Sequence, residues 1–157
     1  MTSHPIPPLF NENSHTLILG SFPSVKSREA MFFYGHPQNR FWSVLAEIYG
    51  IPKPETVEEK KKLILENGLA LWDVIASCEI TGSSDSSISD VTANDLSVII
   101  NNSKVKRIFV NGKTAEKYYN KYTYPKTGIK AICLPSTSPA NAAWKIERLV
   151  EEWKIIR

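Results

Sequence analysis

The alternation of short apolar runs with amphipathic stretches predicts an α/β protein with three layers, α/β/α, around a central parallel sheet of about four strands. Candidate strands alternate with candidate helices throughout the chain, and no internal repeat interrupts them. The strands are short, rich in β-branched residues and continuously apolar. Strands of this kind are typical of a parallel sheet that is covered on both faces.

The apolar runs predict four strands, over residues 16–19, 69–74, 107–111 and 129–134. A polar or glycine-containing segment follows each run. Because the carboxyl ends of parallel strands lie at the same edge of a sheet, these segments should converge there.

Helical periodicity and capping residues predict the helices between the strands. Phe41, Leu45 and Ile48 share one face of a helix over 38–49. Thr56 and Glu59 form a capping-box pattern at the start of a helix over 56–67. Three further helices are predicted. The first is capped by Asp90 or Thr92 and carries Leu96, Ile99 and Ile100. The second covers 114–122, and the last has Ser138 as its expected N-cap and Pro139 as its first residue. The Ser-rich segment 81–89 is predicted to be a surface loop.

Length and composition indicate an ordinary globular protein. The chain has 157 residues, 42% hydrophobic and 22% charged. It is expected to form one domain, 1–157, with an extended arm over 1–14. No apolar run approaches the length of a membrane span, and the N-terminus lacks the pattern of a secretory signal, so a cytoplasmic location is expected. Cys78 and Cys133 lack metal-ligand spacing and are expected to be free thiols.

The stretch from residue 17 to 42 contains the most informative segment for function. A buried strand breaks at Gly20, and a long loop follows that is rich in Ser, Lys, Arg and aromatic residues. Loops of this length in compact domains are usually functional. Lys26, Arg28 and Arg40 could hold phosphates, and an aromatic such as Tyr34 could stack on a base.

Several other kinds of site are disfavoured by spacing. Asn111-Gly112-Lys113-Thr114 resembles the end of a phosphate loop, but Arg107 stands where that motif needs glycine. No GxSxG elbow is present for a serine nucleophile, and no histidine pair has the spacing of a metal site. The late segment Ser136 to Asn141 ends the last strand, so it should lie at the same edge as Gly20, where Ser136, Thr137 and Ser138 could contact a DNA phosphate.

Three motifs together resemble a known family. They are Gly20-Ser21-Phe22-Pro23 after a strand, His36-Pro37-Gln38-Asn39-Arg40-Phe41-Trp42, and Ser136-Thr137-Ser138-Pro139-Ala140-Asn141. In this order they resemble the uracil-DNA glycosylase superfamily over nearly the whole chain. The combination of the first and last motifs is most similar to the hypoxanthine-DNA (deoxyinosine) glycosylase branch.

The resemblance implies roles for particular residues. Asn39 would be the catalytic residue, and Tyr34 would stack on the flipped base. Gly20, Ser21, Phe22 and Pro23 would contribute to the base site, although Phe22 stands where the superfamily usually carries an Asp or Asn that handles the attacking water. Ser24, Lys26, Arg28, Arg40, Ser136, Thr137, Ser138 and Asn141 would contact DNA, with Asn141 filling the gap that the flipped base leaves.

Asp73 ends the second strand, where several branches place an asparagine that reads uracil. A carboxylate offers only hydrogen-bond acceptors. Asp73 could therefore accept the N1–H of hypoxanthine and reject adenine, which has a lone pair at N1. The other reading of Asp73 is a helix or turn cap.

The predicted activity is monofunctional excision of a deaminated base, most closely hypoxanthine, from DNA by a monomer without cofactor or metal. Four alternatives remain open: uracil excision, a non-catalytic DNA-binding module, a hydrolase of free nucleosides, and a Schiff-base mechanism through Lys26.

Overall fold

Seven strands form two sheets in the computed structural model, which describes residues 1–157. The strands are β1 (Thr2–Ser3), β2 (Thr16–Gly20), β3 (Leu69–Asp73), β4 (Ile75–Glu79), β5 (Ser89–Ala93), β6 (Arg107–Asn111) and β7 (Ala131–Leu134). The central sheet is parallel and has the order β3-β2-β6-β7. The predicted four-stranded parallel sheet is therefore confirmed.

Seven α-helices accompany the sheets: α1 (Val25–Ala30), α2 (Phe41–Tyr49), α3 (Val57–Glu66), α4 (Ser97–Ile100), α5 (Lys113–Tyr118), α6 (Tyr124–Thr127) and α7 (Ile146–Trp153). A π-helical segment, Tyr119–Thr123, joins α5 to α6. The predicted capping box at the start of α3 is present, with Thr56 and Glu59 bonded in both directions. It satisfies two backbone N–H groups that would otherwise be unpaired.

Alternation along the strands gives the central sheet two buried faces and so the three layers. Ile18 and Phe109 point to one face, where they pack with α2, α3 and α7. Leu17 and Val110 point to the other face, where they pack with α5 and with the antiparallel sheet. Successive residues of a strand point to opposite faces, so continuously apolar strands require a layer on each side.

The second sheet was not predicted. It is antiparallel, with the order β1-β4-β5, and its register is irregular between β4 and β5. The prediction of a helix capped by Asp90 or Thr92 is wrong, because that segment is β5 and only Ser97–Ile100 is helical. The predicted loop over 81–89 contains a 3₁₀ turn, Asp85–Ser87.

Two helix predictions near the site need correction. The loop after Gly20 contains α1, whose N-cap Ser24 accepts a hydrogen bond from the Ser27 amide. The last helix begins at Ile146 rather than at Pro139, with Lys145 as its N-cap. Ser138 instead caps a local turn by accepting from the Ala140 amide at 3.1 Å. The expected phosphate site at a helix N-terminus is therefore absent from residues 138–141.

The N-terminal arm is bound to the domain along much of its length. Thr2–Ser3 pairs with β4, and Leu9 forms an antiparallel bridge with Leu71. Ile6 is buried in the core. The arm thus covers the free edge of β3, which removes unpaired backbone groups from that edge.

Candidate active site

A pocket of about 470 Å³ opens at the carboxyl edge of the parallel sheet. Gly20 at the end of β2 lies beside Asp73 at the end of β3. On its other side, β2 pairs with β6, which ends at Asn111. This is the point at which the strand order reverses, where α/β sheets usually bind ligands. Among the predicted site residues, those that line the pocket are Gly20, Ser21, Phe22, Pro23, Ser24, Tyr34, Asn39, Asp73, Ser136, Thr137 and Ser138.

Asp73 is a buried carboxylate that the N-terminal arm holds in place. Its Oδ2 accepts a hydrogen bond from His4 Nε2 at 2.8 Å, and both side chains are almost fully buried. His4 Nδ1 in turn accepts from the Ile6 amide at 3.2 Å. A histidine that accepts at Nδ1 and donates at Nε2 is the neutral tautomer. His4 therefore occupies one oxygen of Asp73 and fixes the orientation of the other.

Gly20 leaves the space that Asp73 and Tyr34 occupy. A Cβ atom at Gly20 would overlap Asp73 Oδ1 and would lie 3.3 Å from the Tyr34 hydroxyl. Any larger residue would push the carboxylate away from the strand end. The glycine is thus required by close approach of its neighbours.

Tyr34 combines a stacked ring with an unpaired hydroxyl. Its ring lies on that of Phe41, with centroids 3.9 Å apart and planes 15° from parallel. Its backbone is left-handed, with φ of 53°, an unusual conformation for an aromatic residue. The hydroxyl is buried without a hydrogen-bond partner. Burial and then the nearby Asp73 carboxylate raise the pKa of Tyr34 above its usual value, against a smaller lowering by the Asn111 side chain, so the hydroxyl remains a donor.

Asn39 is held by its oxygen and leaves its amide nitrogen free. Asn39 Oδ1 accepts from the Phe41 amide and from Thr137 Oγ1, each at 2.9 Å. Thr137 Oγ1 also accepts from Asn111 Nδ2 at 3.0 Å, and the Thr137 amide donates to Asn111 Oδ1 at 3.1 Å. These bonds link the ends of β6 and β7 to Asn39. The Asn39 amide therefore presents N–H donors, not an acceptor, for additional partners.

Thr137 differs from its predicted role as a DNA contact. Its side chain has no exposed surface and its hydroxyl is already used within the protein. A buried, fully bonded hydroxyl cannot reach a phosphate. The structure instead assigns it to the orientation of Asn39.

Arg40 and Asn141 are used in fixing the loop before α7. The Arg40 guanidinium donates to the carbonyls of Ser138, Asn141 and Trp144. The Asn141 side chain donates to the Ser136 carbonyl at 3.0 Å and lies outside the pocket lining. Arg40 could contact a phosphate, as predicted, only if it shared or broke these bonds. The same holds for Asn141 and its predicted role of filling the gap that the flipped base leaves.

Lys26 and Arg28 also lie outside the pocket lining. Lys26 is exposed and forms an ion pair with Glu29 at 3.8 Å, so nothing positions it as a Schiff-base nucleophile in the pocket. Arg28 donates to the Gly82 carbonyl at 2.7 Å and lies 5.5 Å from the centre of the Phe22 ring. Lys26 is therefore the predicted cation with the greatest freedom to meet a phosphate.

Sequence reasoning missed several polar residues of the site. They are His36, Asp85, Asn111 and the serines Ser27, Ser83, Ser84 and Ser86 in the pocket lining, and His4, which bonds Asp73 from outside that lining. Asn111 ends a correctly predicted strand, so the convergence of strand ends could have identified it. His36 and Asp85 line the pocket. Asp85 lies in a Ser-rich segment that gives no local signal, and His4 is more than sixty residues from Asp73 in sequence.

No group of three or more His, Cys, Asp and Glu side chains is arranged to hold a metal ion. None of the helices is long and apolar enough to cross a bilayer.

Comparison with known proteins identifies the family. A sequence model of the uracil DNA glycosylase superfamily matches residues 7–157. Two curated relatives are named hypoxanthine DNA glycosylase. The one from Methanosarcina acetivorans is 34% identical, covering 99% of this chain and 98% of its own. The one from Methanosarcina barkeri is 32% identical, covering 75% of this chain and 76% of its own.

A solved structure agrees with this assignment. A solution NMR structure of a candidate uracil DNA glycosylase from Methanosarcina acetivorans superposes with a TM-score of 0.81 at 33% identity. The match covers 96% of this chain and 93% of that one. The strand-end pocket, the family match and these relatives agree: the chain belongs to the uracil DNA glycosylase superfamily.

Proposed function

We propose that the protein is a monofunctional DNA glycosylase that excises hypoxanthine from deoxyinosine by hydrolysis, in base excision repair. The observation that carries the choice of base is the buried Asp73 carboxylate in the pocket, with one oxygen held by His4. Two relatives named hypoxanthine DNA glycosylase support the same substrate.

Asp73 can distinguish a deaminated base from its parent. Hypoxanthine carries a hydrogen on N1, which Asp73 Oδ1 can accept, whereas adenine carries a lone pair there. Adenine would leave a buried carboxylate facing a lone pair, and unpaired buried groups are strongly unfavourable. Because His4 occupies Oδ2, the carboxylate presents Oδ1 in one orientation.

Uracil excision is a second candidate that the same observation favours. Uracil has a hydrogen on N3 where cytosine has a lone pair, so the same carboxylate can distinguish this base from its parent as well. A carboxylate acceptor therefore selects for the N–H group that deamination creates, not for one ring system. Hypoxanthine ranks first because of the named relatives.

Base recognition requires the nucleotide to leave the duplex. An enzyme cannot reach the glycosidic bond of a stacked base, and a mismatched base costs less to extrude. Phe41 covers one face of the Tyr34 ring, so the opposite face is available to stack on the base. Gly20 through Ser24 would line the base, and Ser136 and Ser138 would contact the damaged strand.

Asn39 is the proposed catalytic residue. Its free amide hydrogens can hold the oxygen of the attacking water, while its oxygen is fixed by Phe41 and Thr137. The backbone N–H groups of Ser21 and Phe22 make no hydrogen bond within the protein. Such donors can stabilise the negative charge that develops on the departing base.

The test uses end-labelled duplexes with a single deoxyinosine, deoxyuridine or deoxyxanthosine, followed by hot alkali to cut abasic sites. We expect alkali-dependent cleavage at deoxyinosine and a loss of about 100-fold or more in rate for Asn39→Ala. Asn39→Asp keeps the oxygen that accepts from Phe41 and Thr137 but lacks the amide hydrogens. This variant therefore tests the role of the amide hydrogens without removing those two bonds. Asn120→Ala, on an exposed side chain, is the matched control.

The outcomes separate the candidates. Cleavage only at deoxyuridine would replace hypoxanthine by uracil. DNA binding without cleavage would support a non-catalytic module, and cleavage of free inosine with little effect of salt would support a nucleoside hydrolase. We further propose that the protein acts as a monomer in the cytoplasm, without metal or cofactor. Sedimentation tests the monomeric state, and excision activity in the presence of a chelator tests the independence from metal.

A further inference from the structure

Four titratable side chains line the pocket: Tyr34, His36, Asp73 and Asp85. Hydrolysis needs one group that accepts a proton from the attacking water. Asn39 cannot be that group, because an amide is not a base and its oxygen already accepts two hydrogen bonds. The acceptor must therefore be one of the four, or the solvent.

Three of the four are unsuited to this role. The Tyr34 hydroxyl is buried and remains protonated. His36 Nδ1 accepts from the Gln38 amide at 3.1 Å, so the neutral ring carries its hydrogen on Nε2 and acts as a donor. Asp73 lies at the strand end, bonded to His4, in the place that the base would occupy. Asp85 is the remaining acceptor.

Asp85 lies at the rim of the pocket, on a turn that is fixed to α1. Its Oδ1 accepts from Ser21 Oγ at 3.3 Å. The turn is held because Ser83 Oγ accepts from the Val25 amide at 2.9 Å and Arg28 donates to the Gly82 carbonyl. No Lys, Arg or His forms an ion pair with Asp85. A carboxylate is thus presented to the pocket without a cation to neutralise it.

We propose that Asp85 is a second catalytic residue, which accepts a proton from the attacking water and stabilises the positive sugar. With the base at Asp73 and Tyr34, the sugar of the flipped nucleotide lies nearer the rim. The electrons of the C1′–N9 bond leave with hypoxanthine, and the water oxygen bonds to C1′. The water proton passes to Asp85 and then to solvent, while the departing base takes up one proton.

The chemical environment of Asp85 suits a base. Although the residue is exposed as a whole, protein atoms around its carboxyl group raise the pKa of Asp85 above its usual value. The hydroxyls of Ser21 and Thr114 lower it, and the Asp73 carboxylate raises it. A carboxylate with a raised pKa accepts a proton more readily at neutral pH than an ordinary one does.

The experiment compares wild type, Asp85→Asn and Asp90→Asn in single-turnover excision from a deoxyinosine duplex. Asp90 is exposed on the same segment, outside the pocket lining, and Asn tolerates its positive φ. We expect Asp85→Asn to lower the excision rate about 100-fold, with DNA affinity unchanged or higher because a negative charge is removed. Asp90→Asn should match wild type.

The pH dependence distinguishes catalysis from a structural role. In wild type the rate should fall as pH drops and Asp85 becomes protonated, and Asp85→Asn should lose this acid limb. A loss of less than tenfold, or an unchanged acid limb, would overturn the assignment. The inference rests on the proposed glycosylase activity. If wild type excises no base, that activity fails. If wild type excises hypoxanthine and Asp85→Asn does so at a similar rate, only the role of Asp85 is refuted.

Discussion

At the scale of single residues, the buried hydroxyl of Thr137 sets the orientation of the proposed catalytic amide. It donates to Asn39 Oδ1 and accepts from Asn111 Nδ2. Thr137→Val keeps the shape but removes both bonds, so we expect the excision rate to fall about tenfold, since small misplacements of catalytic groups are costly. Single-turnover rates check this, and Thr137→Ser, which keeps the hydroxyl, is the control.

A double mutant separates positioning from general loss of stability. If Thr137 acts through Asn39, Thr137→Val should add little to the rate loss of Asn39→Ala. Independent, additive losses in rate would contradict this connection. Unfolding by urea should show a cost of about 1–3 kcal/mol for Thr137→Val, because the Asn111 amide loses its acceptor.

Some residues of the site could be predicted from the sequence, and others could not. Tyr34, Asn39 and Asp73 were identified from the motifs and from the end of a strand, and the structure brings all three to one pocket. Their proposed roles stay predictions. His4 and Asp85 were not identified, because their positions depend on how distant segments fold back and not on any local pattern.

At the scale of elements, the N-terminal arm supplies His4, the hydrogen-bond partner of the pocket residue Asp73. His4→Ala would remove the hydrogen bond that His4 donates to the buried Asp73 carboxylate, and leaving a buried acceptor unpaired typically costs about 1–3 kcal/mol. We expect a lower midpoint of urea unfolding, and a weaker preference for deoxyinosine over deoxyadenosine because Asp73 is no longer oriented. Excision rates on both duplexes measure the second effect.

Asp73→Asn provides the test of this coupling. If the carboxylate is what His4 stabilises, His4→Ala should cost less in the Asp73→Asn background than in wild type. Equal costs in the two backgrounds would show that His4 contributes only packing. Asn13→Ala, at an exposed position of the arm, is a control for changes to the arm in general.

The elements also divide into those that sequence predicts well and those that it does not. The parallel strands are continuously apolar and were found within a few residues. Strand β5 is largely exposed and polar, so its sequence lacks the periodicity of a half-buried strand. It is ordered by pairing with β4, which is a tertiary effect. The start of α7 was misplaced because Ser138 and Pro139 favour a turn as readily as a helix.

At the scale of the whole molecule, the distribution of charge should govern DNA affinity. The net charge is only +3, and Arg28 and Arg40 donate to backbone carbonyls. Few cations near the pocket are therefore free to neutralise phosphates. Affinity for undamaged DNA should be weak and should depend on salt through a small number of contacts.

Lys26 provides the test of this description. Because each phosphate contact contributes a slope of about −0.9 in log affinity against log salt, Lys26→Ala should reduce the slope by roughly one unit. Lys154→Ala is the matched control for Lys26→Ala. Both lysines are exposed and form an ion pair with a glutamate three residues away. Lys154, however, follows α7 at the far end of the chain. Fluorescence anisotropy over a range of NaCl concentrations measures both slopes. A slope unchanged by Lys26→Ala, or reduced equally by Lys154→Ala, would show that DNA does not contact the surface around α1.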